Sequence, residues 1–416
     1  LMFYVGIDIA KAFSVCSVIN DKEEMIIKPF AFNSSAGGFK KLLNNIVSLN
    51  CSEDEIIIGM EATGLLFENL YRYLSDLNYN VILLNPYQTA QYRNMVTMKY
   101  VKNDNIDSLI ISLLIKSGRY SKGYVNEEQL QSLKVLFRHK ENIKDHLKSL
   151  KRETSSLFAV VFPELDKIIK DPYNVSSLIL LDKYPTAKHF ENVTVKMILK
   201  LFRKVKGNNF NEAKAQLLLS YTKDTIYSGV AKDARAFFIR SNITLIRALQ
   251  EQIKSLEDEM LKIFDKPIDQ EAIVTKEDED YISSVLDNLR TIPGVSDKTL
   301  LAVLAECGHL DRFKDAKSLI GYLGLYPTQE QSGNTLKYGH LAKRGAKYAK
   351  KALYLASVAA VRHNSELKQI FRNHVALGRA KKEALIVVAR KLAYIIWAIY
   401  NHNKPYDPAR VFVAHP

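Results

Sequence analysis

The chain has 416 residues, 47% hydrophobic and 25% charged, proportions that exclude a largely disordered or fibrous polymer and leave room for two or three cores of roughly 100–200 residues. Lysine and arginine outnumber aspartate and glutamate by 59 to 45, a net charge of +14, which points to a polyanionic partner, nucleic acid or an acidic membrane surface. Three scattered cysteines, Cys16, Cys51 and Cys307, speak against a disulfide framework or a zinc knuckle and for a reducing compartment.

The opening Leu1-Met2-Phe3-Tyr4 has no basic stretch followed by a long apolar one, so no secretory leader is expected. Next comes Phe3-Tyr4-Val5-Gly6-Ile7-Asp8-Ile9-Ala10-Lys11, a β-branched run with one carboxylate inside it. An unpaired buried carboxylate costs several kcal/mol or shifts its pKa, which leaves Asp8 at a strand edge, paired with a cation such as Lys11, or bound to a metal.

Residues 3–9, 12–19 and 24–32 read as a three-stranded meander joined by polar turns such as Asn20-Asp21-Lys22. A helix over 38–49, a strand over 55–60, a helix over 65–77 and a strand over 79–84 follow. Three antiparallel strands and then alternating helix and strand predict a mixed five-stranded sheet with helices on its faces, the ribonuclease H-like pattern. In that topology the first and fourth strands are parallel neighbours, which brings Asp8 beside Glu61. Asp104 and Asp107, three apart at the start of the helical run 108–116, fall on one helix face. If that helix packs on the sheet, four carboxylates converge.

Converging acids cannot all stay ionised without a cation, and oxygen-only ligands suit Mg²⁺ or Mn²⁺. Two such ions about 4 Å apart would clamp the attacking and leaving oxygens of a phosphodiester. Taken singly, Asp104 also makes a good helix N-cap, Asp107 a good first-turn acid and Glu61 an ordinary strand-end acid; strand order and spacing together favour the metal site.

Residues 127–158 form a long amphipathic helix on Leu130, Leu133, Leu136, Phe137, Ile143, Leu147 and Leu150, and 245–264 form a second. Narrow apolar stripes of this kind pair as coiled coils, compatible with a dimer arm or an internal hairpin. Short helices and turns are expected over 171–233, with a basic amphipathic stretch at 196–206. Around Leu289–Thr299 the Ile292-Pro293-Gly294-Val295 turn has the signature of a helix-hairpin-helix, whose exposed backbone N–H groups hold phosphate without reading sequence.

Glycines punctuate 324–345, marking loops around Gln331-Ser332-Gly333. Beyond it, Lys347, Lys350, Lys351 and a series of later lysines and arginines face few acids, a concentrated phosphate-binding charge. A serine hydroxyl is a weak nucleophile without a base or metal, and no Ser-His-Asp arrangement is evident. The apolar run 383–400 is broken by Arg390 and Lys391 and is too short to span a bilayer, so a cytoplasmic protein is expected.

These motifs resemble those of the insertion-sequence transposases that join a DEDD catalytic domain to a serine-bearing C-terminal domain, the bridge-RNA-guided recombinases that include Piv-like DNA invertases. The resemblance rests on Val5–Lys11, Met60-Glu61-Ala62-Thr63-Gly64, Lys102–Asp107, Ile292–Val295, Gly321–Leu325, Gln331-Ser332-Gly333 and Lys343-Arg344-Gly345. It implies a RuvC-type catalytic domain over 1–125, a helical coiled-coil linker and dimerisation region over 126–280, and a mainly helical C-terminal domain over 281–416 with the helix-hairpin-helix.

By position, Asp8, Glu61, Asp104 and Asp107 match the family's Mg²⁺-binding or Mn²⁺-binding carboxylates and Ser332 its nucleophile, which attacks DNA to leave a covalent phosphoserine. Lys11, Lys102, Lys298, Lys337, Lys343, Arg344, Lys347, Lys350 and Lys351 are the expected nucleic-acid contacts. The implied partners are double-stranded DNA, a structured guide RNA and a second copy in a dimer that assembles to a tetramer, with no membrane. Two positions depart from the pattern. Ser108 replaces a small alanine after the second aspartate, and Thr328 replaces a serine after the proline, which leaves Ser332 alone in that loop. The competing readings are a metal-dependent junction nuclease using water, a non-enzymatic nucleic-acid-binding protein, and an actin-like sugar kinase whose further phosphate loops are missing.

Overall fold

Along Phe3–Asp8 (β1) the side chains alternate, Phe3, Val5 and Ile7 against Tyr4, Gly6 and Asp8, so the two faces of this strand differ in kind. In the computed structural model, which describes residues 1–62, 64–96, 103–124, 126–202, 205, 210–264, 284–332 and 335–412, with side chains for all of these but 330–332 and 335–338, β1 lies at the centre of a five-stranded sheet. Ser14–Asn20 (β2) and Met25–Phe32 (β3) continue from it antiparallel, whereas Ile56–Glu61 (β4) and Asn80–Leu84 (β5) run parallel to it, giving the order β3-β2-β1-β4-β5. The mixed sheet expected from the sequence is thus present, with β4 ending on Glu61 itself.

On one face, Phe3, Val5, Ile7, Ile58 and Met60 are buried with Leu42 and Ile46 of the helix Ala36–Val47 (α1) and with Leu70 and Leu74 of Glu68–Ser75 (α2). Burying each such side chain contributes roughly 1.5–3 kcal/mol. On the other face lies the helix Asp104–Ser117 (α4), whose Ile111, Leu114 and Ile115 pack on Ile82 and Leu84. Asn103 caps α4 by accepting from the Asn105 N–H at 3.0 Å, and Gly118 ends it in the left-handed region. A further helix, Pro86–Val96 (α3), follows β5. Its weak apolar periodicity hides it in the sequence.

Gly6 and Gly59 pair across β1 and β4, on the face that α4 covers. A Cβ on Gly6 would fall 2.0 Å from the Ser108 carbonyl oxygen, and one on Gly59 would fall 2.7 Å from Cγ2 of Ile115. The two glycines let α4 settle directly on the sheet backbone. Ser108, fully buried at this crossing, is small for the same reason.

The chain divides into two compact units, Leu1–Val125 and Asn126–Pro416. In the second, Glu128–Val161 (α5) and Lys232–Phe264 (α10) lie antiparallel: Gln129 near the start of one donates to the Ile263 carbonyl at the end of the other, and Asn242 donates to Thr154 at 3.1 Å. The long apolar stripes therefore pair within one chain, and α10 begins at Lys232, before the residue 245 expected.

One core, around Phe162, Phe190 and Ile243, joins the far end of this hairpin to Leu165–Ile168 (α6), Val175–Lys183 (α7), Val195–Phe202 (α8) and Glu212–Asp224 (α9). A second core joins its near end to the C-terminal helices: 284–290 (α11), Asp297–Cys307 (α12), Ala316–Leu323 (α13), Lys347–His363 (α14), Ser365–Ala376 (α15) and Lys381–His402 (α16). Within the stretch read from glycines as loops, Pro327–Ser332 (β6) and Thr335–Leu341 (β7) pair as an antiparallel hairpin. Among the described residues, no helix is long and apolar enough to cross a membrane.

Candidate functional site

Ile7 of β1 pairs with Met60 of β4 in parallel register, so the next residues, Asp8 and Glu61, stand at the same level at the carboxyl ends of adjacent strands. Both follow the paired glycines by two residues and share their face. The close crossing of α4 brings its first turn to that edge. Carboxylate oxygens of Asp8, Asp104 and Asp107 all lie within 4.8 Å of one another. Asp107 is buried, Asp8 half-buried and Asp104 exposed. Glu61 stands beside this trio, where its carboxylate accepts a hydrogen bond from the Thr89 hydroxyl.

Arg93 of α3 reaches Asp107 with an N···O distance of 2.7 Å. Thr89 and Arg93 are four residues apart on α3 and so share a face; together they engage one acid from the sheet and one from α4. Neither was singled out from the sequence, because the signal that would find them is the placement of α3 and not any local motif. Burial, then the neighbouring charges of Asp107, Glu61 and Asp104, push the Asp8 carboxyl up to about 6, with Arg93 pulling the other way. A cluster whose members raise one another's proton affinity is one that a divalent cation relieves. Its donors are all hard carboxylate oxygens, which fits Mg²⁺ or Mn²⁺ in preference to a soft metal.

Ser332 ends β6 and pairs with Thr335 across the hairpin. The hairpin base is pinned by Lys350 of α14, whose ammonium donates to the carbonyls of Ala342 at 2.8 Å, Arg344 at 2.9 Å and Gly324 at 3.3 Å. Gly324 and Gly345, both at positive φ, pass so closely there that a Cβ on Gly345 would lie 2.5 Å from the Leu323 carbonyl carbon.

Among the other basic residues singled out in the sequence, Lys298 pairs with Glu257 at 2.7 Å and Lys351 with Glu141 at 3.0 Å. Lys347 lies over the Tyr348 ring. Lys11, Lys343 and Arg344 are exposed. Lys102 lies outside the described residues, as do Thr63, Gly333 and the side chains of Ser332 and Lys337. The Pro293-Gly294 turn joins α11 to α12, and the Gly294 Cα faces α14, where a Cβ would fall 2.6 Å from the Ala360 Cα. Close packing is therefore one reason for that glycine.

Fold and side chains together define a mixed α/β domain with a carboxylate cluster at the ends of its parallel strands, in one chain with a basic, mainly helical unit. A family model described as a transposase, the DEDD type of IS110, matches residues 5–163, and a second, described as transposase of the IS116/IS110/IS902 family, matches residues 286–372. The chain belongs to this family of insertion-sequence transposases.

It is similar to a pilin gene-inverting protein of Moraxella bovis, 32% identical over 121 residues (29% of this chain and 38% of that protein). It is also similar to the transposase for insertion sequence element IS1111A of Coxiella burnetii, 30% identical over 121 residues (28% and 33%). An insertion element IS116 uncharacterized 44.8 kDa protein of Streptomyces clavuligerus aligns over 413 residues, 98% of this chain and 96% of that protein, at 20% identity. The first two matches thus span only about a third of each relative's length.

Proposed function

We propose that the chain is a DNA recombinase of an insertion sequence that cuts and rejoins DNA through a covalent phosphoserine. The observation that carries this reading is the gathering of Asp8, Asp104 and Asp107 within 4.8 Å, with Glu61 level with Asp8 on the neighbouring parallel strand. The strand order supports a ribonuclease H-like, RuvC-type domain over residues 1–125. Asp8, Asp104 and Asp107, with Glu61 beside them, would hold a divalent cation such as Mg²⁺, which supplies charge neutralisation at the phosphoryl oxygens.

The Ser332 hydroxyl gives up its proton as Oγ attacks phosphorus and forms the serine–phosphate bond; the phosphorus–oxygen bond to the leaving sugar breaks, and that oxygen takes up a proton as a hydroxyl, so the exchange is balanced. Because the phosphodiester is conserved in the protein–DNA link, a second hydroxyl reseals the strand by the reverse displacement with no nucleotide cofactor. The basic unit, with the turn between α11 and α12 and the exposed Lys343 and Arg344, is read as the backbone-binding part. A structured guide RNA is the second nucleic acid in this reading, residues 126–280 are the dimerisation region, and dimers assemble to tetramers. Residues 281–416 carry the nucleophile.

The test is covalent capture. Full-length protein incubated with element-end DNA, Mg²⁺ and the RNA encoded beside its gene, then denatured, should yield a DNA-linked band that Ser332→Ala abolishes and Asp8→Asn strongly reduces. Cleavage with no linked species would make the protein a nuclease that uses water.

A further inference from the structure

Within the second unit, and lined by no residue of the serine hairpin, α16, the start of α13 and residues 404–411 border a cavity of about 350 Å³, within the roughly 300–1,000 Å³ range of small-molecule sites. We propose that it binds a single unpaired nucleotide, the base stacked between aromatic rings and the phosphate held by lysines. Tyr394, Trp397 and Tyr406 line it, together with Lys317, Lys391 and Lys404.

Two of the rings are fixed by their polar ends. The Trp397 indole N–H donates to the Phe313 carbonyl at 3.3 Å; the Tyr406 hydroxyl accepts from Asn364 at 2.8 Å and donates to Glu366 at 3.3 Å. Rings held in place offer stacking faces at little further entropic cost.

The charge at the walls is unbalanced. Lys317, Lys391, Lys404 and Arg410 face two lining carboxylates: Asp315 accepts from the N–H and hydroxyl of Ser318, each at 2.7 Å, and Asp407 caps Ala409 and pairs with Arg410 at 3.4 Å. Lys317, Lys391 and Lys404 have no ion-pair partner among the described residues. Burial lowers the proton affinity of Lys391 with no carboxylate to oppose it, so an arriving phosphate supplies the missing counter-charge. Aromatic faces interleaved with uncompensated cations are the combination that single-stranded nucleic acid requires; an apolar peptide would use the rings and leave the lysines unmatched.

This inference is independent of the acid cluster. Trp397 is the one tryptophan in the chain, so its fluorescence reports on this cavity. Full-length protein should be titrated with single-stranded RNA and DNA oligonucleotides and with the corresponding duplexes. Saturable quenching by single strands and not by duplex is expected; quenching by RNA alone, by DNA alone or by both supports the site and identifies the strand.

Tyr406→Ala should weaken single-strand affinity about 5- to 100-fold, the range of one lost base stack, while Tyr406→Phe, which keeps the ring, should stay within about 2-fold. Exposed Lys404→Ala, which carries no folding risk, should weaken binding several-fold and reduce its salt dependence. Asp8→Asn should leave the quenching unchanged. Absent binding, binding without a change in Trp397 emission, equal quenching by duplex, or unaltered affinity in both Tyr406→Ala and Lys404→Ala would overturn the proposal.

Discussion

Arg93 of α3 and the buried Asp107 of α4 form an ion pair at 2.7 Å within the carboxylate cluster. The guanidinium supplies one positive charge to a site with four acids near it, and Thr89, one turn earlier, engages Glu61. α3 therefore acts on the same groups that a cation would.

Arg93→Gln is expected to destabilise the protein in chelator by about 2–4 kcal/mol, since removing one partner of a buried pair leaves the other charge uncompensated. Millimolar Mg²⁺ should recover most of that loss. Melting temperatures of the wild type and variant, with EDTA and with Mg²⁺, check this; a deficit that Mg²⁺ leaves untouched would mean the acids do not hold the ion.

Asp8 is pushed up to about 6 from an ordinary value near 3.8. A carboxyl with a raised folded-state pKa contributes stability that is complete below its unfolded pKa and is lost as pH rises through the folded one. In chelator, stability should therefore decline between about pH 4 and pH 7 from this group. Asp8→Asn should remove that decline and raise stability near neutrality by on the order of 1–2 kcal/mol, allowing for solvent screening of a half-buried group, at the cost of metal binding. Thermal melts across that pH range in both proteins decide it.

Gly6→Ala places a methyl 2.0 Å from the Ser108 carbonyl oxygen and 2.6 Å from the Ser112 nitrogen. Backbone cannot swing aside, so the cost should reach or exceed the roughly 3 kcal/mol upper range for overpacking. Gly59→Ala meets side-chain methyls, Cγ2 of Ile115 at 2.7 Å and of Ile111 at 3.1 Å, which are stiff but not backbone, and should cost less. Chemical denaturation of the two variants ranks them; equal costs would show that α4 does not ride on these glycines as described.

Lys140, 4% exposed, lies against the Phe137 ring, and burial lowers its ammonium to about 8. Its distant partner Glu257 keeps Lys298 at 2.7 Å and Lys144 at 3.5 Å. Lys140→Met therefore removes a buried charge without stranding an acid, and should be neutral or stabilising by roughly 1–2 kcal/mol at pH 7. With its folded pKa depressed, Lys140 contributes stability that is lost as pH falls through about 8, so the advantage of the variant should shrink above that pH. Melts at about pH 7 and pH 9.5 measure both effects.

Lys350→Met removes the donor shared by three carbonyls at the base of the serine hairpin. Hydrogen bonds to a charged group contribute about 1.5–3 kcal/mol, and here the loss should be local. Hydrogen exchange should quicken at the ends of β6 and β7 before global stability falls.

Much of the first unit is legible in the chain alone. The alternation in Phe3–Asp8, the Ile-rich run before Glu61 and the aspartates three apart specify strands and a helix by period, and the handedness of parallel connections leaves few ways to order them. The serine hairpin and α3 were not legible. β6 is largely polar, and α3 has scarcely any apolar stripe, so neither announces its structure through periodicity.

What the sequence by itself determined is local and periodic: which residues share a face, where helices begin, and that acids on two parallel strands would come level. Only the tertiary structure decided which surfaces meet. It set α4 directly on Gly6 and Gly59, inserted Arg93 and Thr89 among the acids, paired α5 with α10 inside one chain, and committed Lys350 to the hairpin base. These outcomes depend on steric and charge complementarity between segments far apart in the chain, and periodicity carries no record of a distant partner.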